Sequence, residues 1–271
     1  MIVHIALREI KIGFRNPWSY SFMVLFGLFS LSLLLIQSQN VVEGYSAVTG
    51  SMLNLILYLL PLMTLLLGSF TLTAEKEEGS WDLLSTYPLR TFSFILGKYI
   101  GMTVVLFAIL AVGYGLVGIV GAIGGNGFDP QVYGLFLAFS IGLILLFLAL
   151  ALGIGTIAKN RWQALTIAVA VWFFLIIGWS AFLIAGLSWL PYVWIKPAVV
   201  VATVLNPAEL VRLFVIVKLG GGSVLGPEYY SWVNWIKHPL GTSWYILISV
   251  IWVGVAISFT NFIWERGRSR G

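Results

Sequence analysis

Cysteine is absent from the 271 residues, which excludes disulfide staples, thiolate metal sites and cysteine nucleophiles. Histidine is nearly absent too: His4 and His238 are too few for a histidine-based metal site within one chain. Charged residues make up only 9% of the chain and hydrophobic ones 60%, whereas a soluble domain carries about 25% charge. So few charges cannot cover the surface of a water-soluble protein of this length. The chain therefore reads as an integral membrane protein. Its formal charge of +5 fits basic cytoplasmic loops better than nucleic-acid binding.

What is present is a set of long uncharged runs: 16–42, 44–74, 99–128, 130–158, 162–195 and 238–264. About 20 apolar residues cross a bilayer as a helix, so each run holds one span. The spans are expected near 18–37, 53–73, 99–122, 132–156, 163–187 and 243–264. The runs do not alternate apolar with polar residues, as barrel strands would. The expected fold is all-α, a single transmembrane domain over 1–271. The first run is followed by Gln37-Ser38-Gln39-Asn40, with no A-x-A-like cleavage site, and is read as a span.

Lysine and arginine orient the bundle. Eleven of the fifteen basic residues lie before the first span, in the second and fourth loops, and in the tail, whereas 38–52 and 123–131 carry none. The positive-inside rule places both termini in the cytoplasm, in the cell membrane of a prokaryote. The fifth loop, with Lys196, Arg212, Lys218 and Lys237, offends least because long loops obey the rule weakly.

Three extramembrane segments carry further information. Residues 1–17 read as an interfacial elbow helix: Val3, Leu7, Ile10 and Phe14 recur at helical spacing, with His4, Arg8, Lys11 and Arg15 beside them. The basic stripe is expected to face lipid headgroups, and Asn16-Pro17 to end the helix. The elbow is read either as a plain anchor or as a partner-binding element.

In the second loop, 75–98, Glu75, Glu77 and Glu78 cluster where the second span leaves the membrane. Gly79 suits a left-handed helix end, Ser80 suits the N-cap of a short helix, and Pro88 stops that helix. Trp81, Leu83, Leu84 and Tyr87 are then available for docking, with Arg90 and Lys98 leading into the third span. On the residues alone, a solvated acidic turn is the competing reading. The fifth loop, 188–242, is read as a long external loop with short helices. Asn206 as N-cap, Pro207 at the first position and Glu209 at the third start a helix over 208–219 that Gly220 ends. Its tryptophans suit the outer interface. Asn206, Pro207, Glu209 and Arg212 are candidates for an external partner platform.

The second-loop pattern resembles the membrane subunits of the ABC exporter superfamily with six helices per chain. Their second span ends in Glu-x-Glu-x-Gly, followed by a Leu-rich short helix, Tyr-Pro and a Leu-Gly-Lys approach to the third span. Here Glu75, Glu77, Glu78, Gly79, Leu83, Leu84, Tyr87, Pro88, Leu96, Gly97 and Lys98 occupy those positions, with Ser80 where Thr is usual. Within that superfamily the chain is most similar to NosY-type permeases, associated with nitrous oxide reductase maturation. Residues 158–165 and 205–213 agree with this. The resemblance implies a coupling segment at 75–98, a second copy, separate ATPase subunits carrying ATP and Mg, and an extracytoplasmic partner. It also implies transport of a small species, sulfur- or copper-related, or transmission of force. Drug, ion or lipid export is the alternative within the superfamily, and a stand-alone channel or scaffold lies outside it.

The chain lacks G-x-x-x-x-G-K-[ST] and H-E-x-x-H, so neither nucleotide binding by that motif nor zinc proteolysis is expected. No catalytic residue, metal site or cofactor is expected. No Asp, Glu, Lys or Arg falls deep in a predicted span, which disfavours self-powered carriage. Small residues recur at four-residue spacing in Gly97/Gly101, Gly121/Gly125 and Gly134/Ala138/Gly142, suited to close helix packing. Pro61 is expected to bend the second span, letting Tyr58, Thr64, Ser69 and Thr71 line a path.

Overall fold

The computed structural model describes residues 1–38, 47–79, 91–124 and 130–268. Among them there is helix and turn but no strand. In chain order the helices are α1 (Ile2–Gly13), α2 (Pro17–Ser38), α3 (Ala47–Glu77), α4 (Thr91–Gly124), α5 (Pro130–Ile157), α6 (Arg161–Trp172), α7 (Trp179–Leu187), α8 (Tyr192–Leu205), α9 (Pro207–Lys218), α10 (Tyr230–Lys237) and α11 (Gly241–Arg268). A π-helical stretch, Phe173–Gly178, joins α6 to α7. The short helix expected from Ser80 through Thr86 lies outside the described residues, as does Gly125.

Among the described residues, five helical units are long and apolar enough to cross a membrane: α3, α4, α5, α6 with α7, and α11. The pair α8–α9, bent by 106°, passes the same test if taken together. The 22-residue α2 occupies the place of the first expected span. The helices outrun the sequence-based spans because hydrogen bonding continues past the apolar stretch: α3 reaches Glu77, and α4 begins at Thr91.

At the centre α3 packs along α5. Lipid tails are as apolar as leucine, so close packing rather than the hydrophobic effect joins such helices. Two glycines supply the closeness: a Cβ on Gly155 would lie 2.6 Å from the Ser69 carbonyl oxygen, and one on Gly68 would lie 2.6 Å from Ala151 Cβ. Gly155→Val is therefore expected to lower stability by about 1–3 kcal/mol through overpacking. Thermal unfolding of the purified chain in detergent checks this; an unchanged midpoint would mean the helices part freely. Around the central pair, α2 packs on α4 and α3, α6 packs on α3 at one flank, and α11 packs on α5 and α4 at the other.

α1 meets the bundle through its small residues. Ala6, Glu9 and Gly13 are buried, while Val3 and Leu7 are exposed beside Arg8 and Lys11. Its seat is Gly97 and Gly101 of α4, where added Cβ atoms would lie 2.8 Å from Ile5 Cβ and 2.7 Å from the Ala6 carbonyl oxygen. Backbone proximity, not apolar area, selects the buried face. α9 differs from the sequence reading, in which the fifth loop lies at the outer membrane interface. Leu210, Val211 and Leu213 to Val217 are all buried, and α9 lies against α5, α3 and α10. Val211 sits at Gly142, where a Cβ would lie 3.1 Å from Val211 Cγ1. Gly142 is 12 residues, about 18 Å at 1.5 Å per residue, inside α5. The 188–242 segment thus folds back into the bundle instead of lying wholly outside it.

Candidate coupling site

The end of α3 and the residue after it carry four consecutive ionisable residues, Glu75 to Glu78. At about 3.6 residues per turn neighbours in sequence point to different quarters, so each has a different surrounding. Gly79 then takes φ 68°, the left-handed conformation that favours glycine, and its N–H is donated to the Lys76 carbonyl.

Glu75 points inward. Its Oε1 lies 3.2 Å from Lys98 Nζ and 3.1 Å from Arg8 Nη1. Lys98 Nζ also lies 2.8 Å from Glu9 Oε2 and donates to the Thr71 carbonyl at 3.1 Å. An ammonium has three protons, and three acceptors surround this one. The Lys98 side chain is only 1% exposed. Two cations and two carboxylates balance, which is what allows charges to be buried at all. The second Glu75 oxygen is buried with no partner among the described residues. The network ties α1, α3 and α4 together at the two stems of the 80–90 segment.

Lys76 points to α5. Its Nζ donates to the carbonyls of Gly155, Thr156 and Ala158 at 3.0, 2.6 and 2.7 Å. These belong to the end of α5, where carbonyls lack intrahelical partners and the helix dipole favours a cation. The Trp264 ring of α11 lies 5.7 Å from the same nitrogen.

Glu77 points to the start of α6. Its Oε1 accepts from the Arg161 backbone N–H at 2.7 Å and its Oε2 meets Arg161 Nε at 2.9 Å. A carboxylate at a helix N-terminus is favourable for the converse dipole reason. The Asn160 side chain accepts from Gln163 N–H, and Gln163 Oε1 accepts from Lys159 N–H, both at 2.8 Å; together they resemble a capping box. Adjacent side chains of opposite sign thus hold opposite ends of the α5–α6 turn. Glu78 is exposed, with a long 3.5 Å contact to Arg161 Nη2.

The structure therefore places Glu75 and Lys98 in the interior, Lys76 and Glu77 on the α5–α6 turn, and Glu78 at the surface. Lys11 and Arg15 are exposed and make no ion pair among the described residues. Trp81, Leu83, Leu84, Tyr87, Pro88 and Arg90 lie outside the described residues. The sequence reading missed Glu9, the one carboxylate in an otherwise basic helix, and that oddity was the available signal. It also missed the partners of Lys76, which nothing local announces.

The five path residues share no common face. Pro61, Thr64 and Ser69 are buried, and the Thr64 and Ser69 hydroxyls are donated to Leu60 and Leu66 carbonyls of their own helix. Thr71 likewise bonds Gly68, while Tyr58 is exposed and its carbonyl accepts from Trp172 Nε1 at 2.8 Å. Asn206 is fully buried. Its oxygen caps α9 through Ala208 N–H, and its Nδ2 donates to the Leu175 carbonyl within the π-helical stretch. Pro207 is buried too. Of the four platform residues, only Glu209 and Arg212 reach partly exposed positions, paired at 3.0 Å.

A profile of the ABC-2 family transporter proteins matches residues 3–266. The chain is 28% identical over 280 residues to a probable ABC transporter permease protein NosY of Pseudomonas aeruginosa, covering 97% of each chain. It is 26% identical over 272 residues to a protein of the same name from Stutzerimonas stutzeri, again over 97% of each. With apolar helices long enough to cross a bilayer and a family match over almost its whole length, the chain belongs to the ABC-2 family and is a permease of an ABC transporter.

Proposed function

We propose that this permease works as one of two copies driven by two separate ATPase subunits, which carry the ATP and Mg. Their closure acts on residues 75–98 and on α1, tilting the two copies relative to one another. The observation that carries this reading is that both stems of the 80–90 segment are tied to other elements. Lys98 and Glu75 join them to α1, while Lys76 and Glu77 join one stem to the α5–α6 turn. A push on such a segment reaches three other helices, α1, α5 and α6, without needing a flexible lever. Six spans, counting α2 with the five long units, and a cytoplasmic location for both termini complete the topology. The charge asymmetry between the loops supports that orientation.

The similarity to proteins named NosY supports a role in delivering a small sulfur- or copper-related species for copper-enzyme maturation, or in passing force to an extracytoplasmic partner through 188–242. Of the candidate contacts to an ATPase, Glu78 is exposed. Co-purified with its ATPase, the Glu78→Ala, Tyr87→Ala double variant is expected to lose assembly or at least tenfold in permease-stimulated ATP turnover, about 1.4 kcal/mol in coupling. Unchanged assembly and turnover would overturn the coupling assignment. Transport into liposomes with and without the outer partner separates cargo movement from force transmission.

A further inference from the structure

A groove of about 400 Å³ opens between α4, α5 and α11, lined by Tyr99, Ala138, Gly142, Tyr245, Ser249 and Val250 among others. Two of its polar groups are spent internally: Tyr99 Oη donates to the Leu145 carbonyl and Ser249 Oγ to the Tyr245 carbonyl. The surface offered to an occupant is mostly hydrocarbon.

Its depth identifies the medium around it. α5 and α11 have 28 residues each, about 42 Å at 1.5 Å per residue, against about 30 Å of bilayer hydrocarbon. From the Pro130 and Gly241 ends, the lining residues begin at Tyr245 and Ala138, about 6–12 Å in, and finish at Val253 and Leu146, about 18–24 Å in. The groove thus runs from the hydrocarbon boundary on that side to near the midplane, the reach of one acyl chain in one leaflet.

A cation marks the boundary end. Phe214 of α9 stacks on Tyr245 with centroids 3.9 Å apart and planes 9° from parallel. Lys218 Nζ lies 5.5 Å from the Phe214 centroid, so one aromatic ring separates the ammonium from the groove wall. Lys237 adjoins the turn that follows Lys218: its Cε would lie 3.9 Å from a Cβ on Gly222. Neither lysine makes an ion pair among the described residues, and Glu209 is occupied by Arg212. Uncompensated cations at one end of a membrane-depth apolar groove complement a single ligand chemistry, an anionic headgroup above a hydrocarbon tail.

We propose that this groove is a binding site for an anionic phospholipid, with one acyl chain lying between α5 and α11 and the phosphate at Lys218 and Lys237. The test uses the full chain in nanodiscs of equal parts phosphatidylglycerol and phosphatidylcholine, with native mass spectrometry of the released protein. The wild type is expected to retain one lipid, enriched in phosphatidylglycerol. Ala138→Phe and Val250→Phe, each filling the groove from an exposed position on opposite walls, lose the retained lipid. Lys218→Gln with Lys237→Gln keeps the lipid, while the anionic preference falls to parity. Retention by both groove-filling variants, or parity in the wild type, overturns the assignment. A lipid-free wild-type dimer that Ala138→Phe dissociates would instead assign the groove to a second copy.

Discussion

Lys98→Met is expected to lower folding stability by about 3–5 kcal/mol, the cost of removing one partner from a buried ion network. The substitution nearly conserves volume, so the loss is electrostatic. Glu9 and Glu75, each within 3.2 Å of the ammonium, would be left with only Arg8, which reaches Glu75 alone and is half exposed. Two carboxylates in a poorly solvated site are costly to bury without the cation that pairs them. α1 should then lift from its seat on Gly97 and Gly101. Its basic residues make this readable: trypsin should cleave after Arg8 and Lys11 faster than in the wild type, and the melting temperature should fall. Lys98→Met combined with Glu9→Gln and Glu75→Gln should recover much of the loss, because neutral amides cost less to bury than unpaired charges. A single variant within about 0.5 kcal/mol of wild type, the range of an ordinary surface substitution, would mean that the network is solvated and α1 is held by packing alone.

The parts of the molecule legible in the sequence are those set by local chemistry. Charge-free runs located the long helices because a charge inside hydrocarbon is costly. Asn206-Pro207 announced the start of α9, and the Asn206 side chain does cap it. Gly79 and Gly220, both at positive φ, end α3 and α9 as their residue type suggests. What was not legible is partner choice over distance. Glu9 and Lys98 are 89 residues apart, and Lys76 reaches carbonyls 79 to 82 residues away. An acidic cluster looks the same on paper whether it faces water or another helix. The burial of α9 had a signal that was passed over: from Ala208 to Val217 only Glu209 and Arg212 interrupt the apolar residues, and a helix apolar nearly all round belongs in an interior. For α1 the face that meets the bundle was not legible either, because it is set by the closer approach that Ala6 and Gly13 allow.

Lys76→Met should loosen the α5–α6 turn more than any other single change at that corner. Three carbonyls within 3.0 Å of one ammonium lose their shared donor together. A hydrogen bond to a charged group contributes about 1.5–3 kcal/mol, and three on one nitrogen are not additive, so a loss of about 3 kcal/mol is expected. Lys76→Arg should rescue little, because a planar fork does not match three carbonyls converging on a tetrahedral nitrogen. Glu77→Ala acts on the other side of the same turn. It removes the acceptor of the Arg161 N–H and the 2.9 Å ion pair, leaving Asn160 and Gln163 to hold the helix start. Its cost should be smaller, about 1 kcal/mol as for loss of a cap. Hydrogen exchange separates the two: Glu77→Ala should speed amides at Arg161 and nearby in α6, while Lys76→Met should also expose amides in the last turn of α5. If the turn is the route by which a push on residues 80–90 reaches α5 and α6, both variants should keep their bound ATPase and its turnover yet lose transport. Intact transport in Lys76→Met, with the turn loosened by exchange, would remove the α5–α6 turn from that route and leave α1 and α4 as the remaining one.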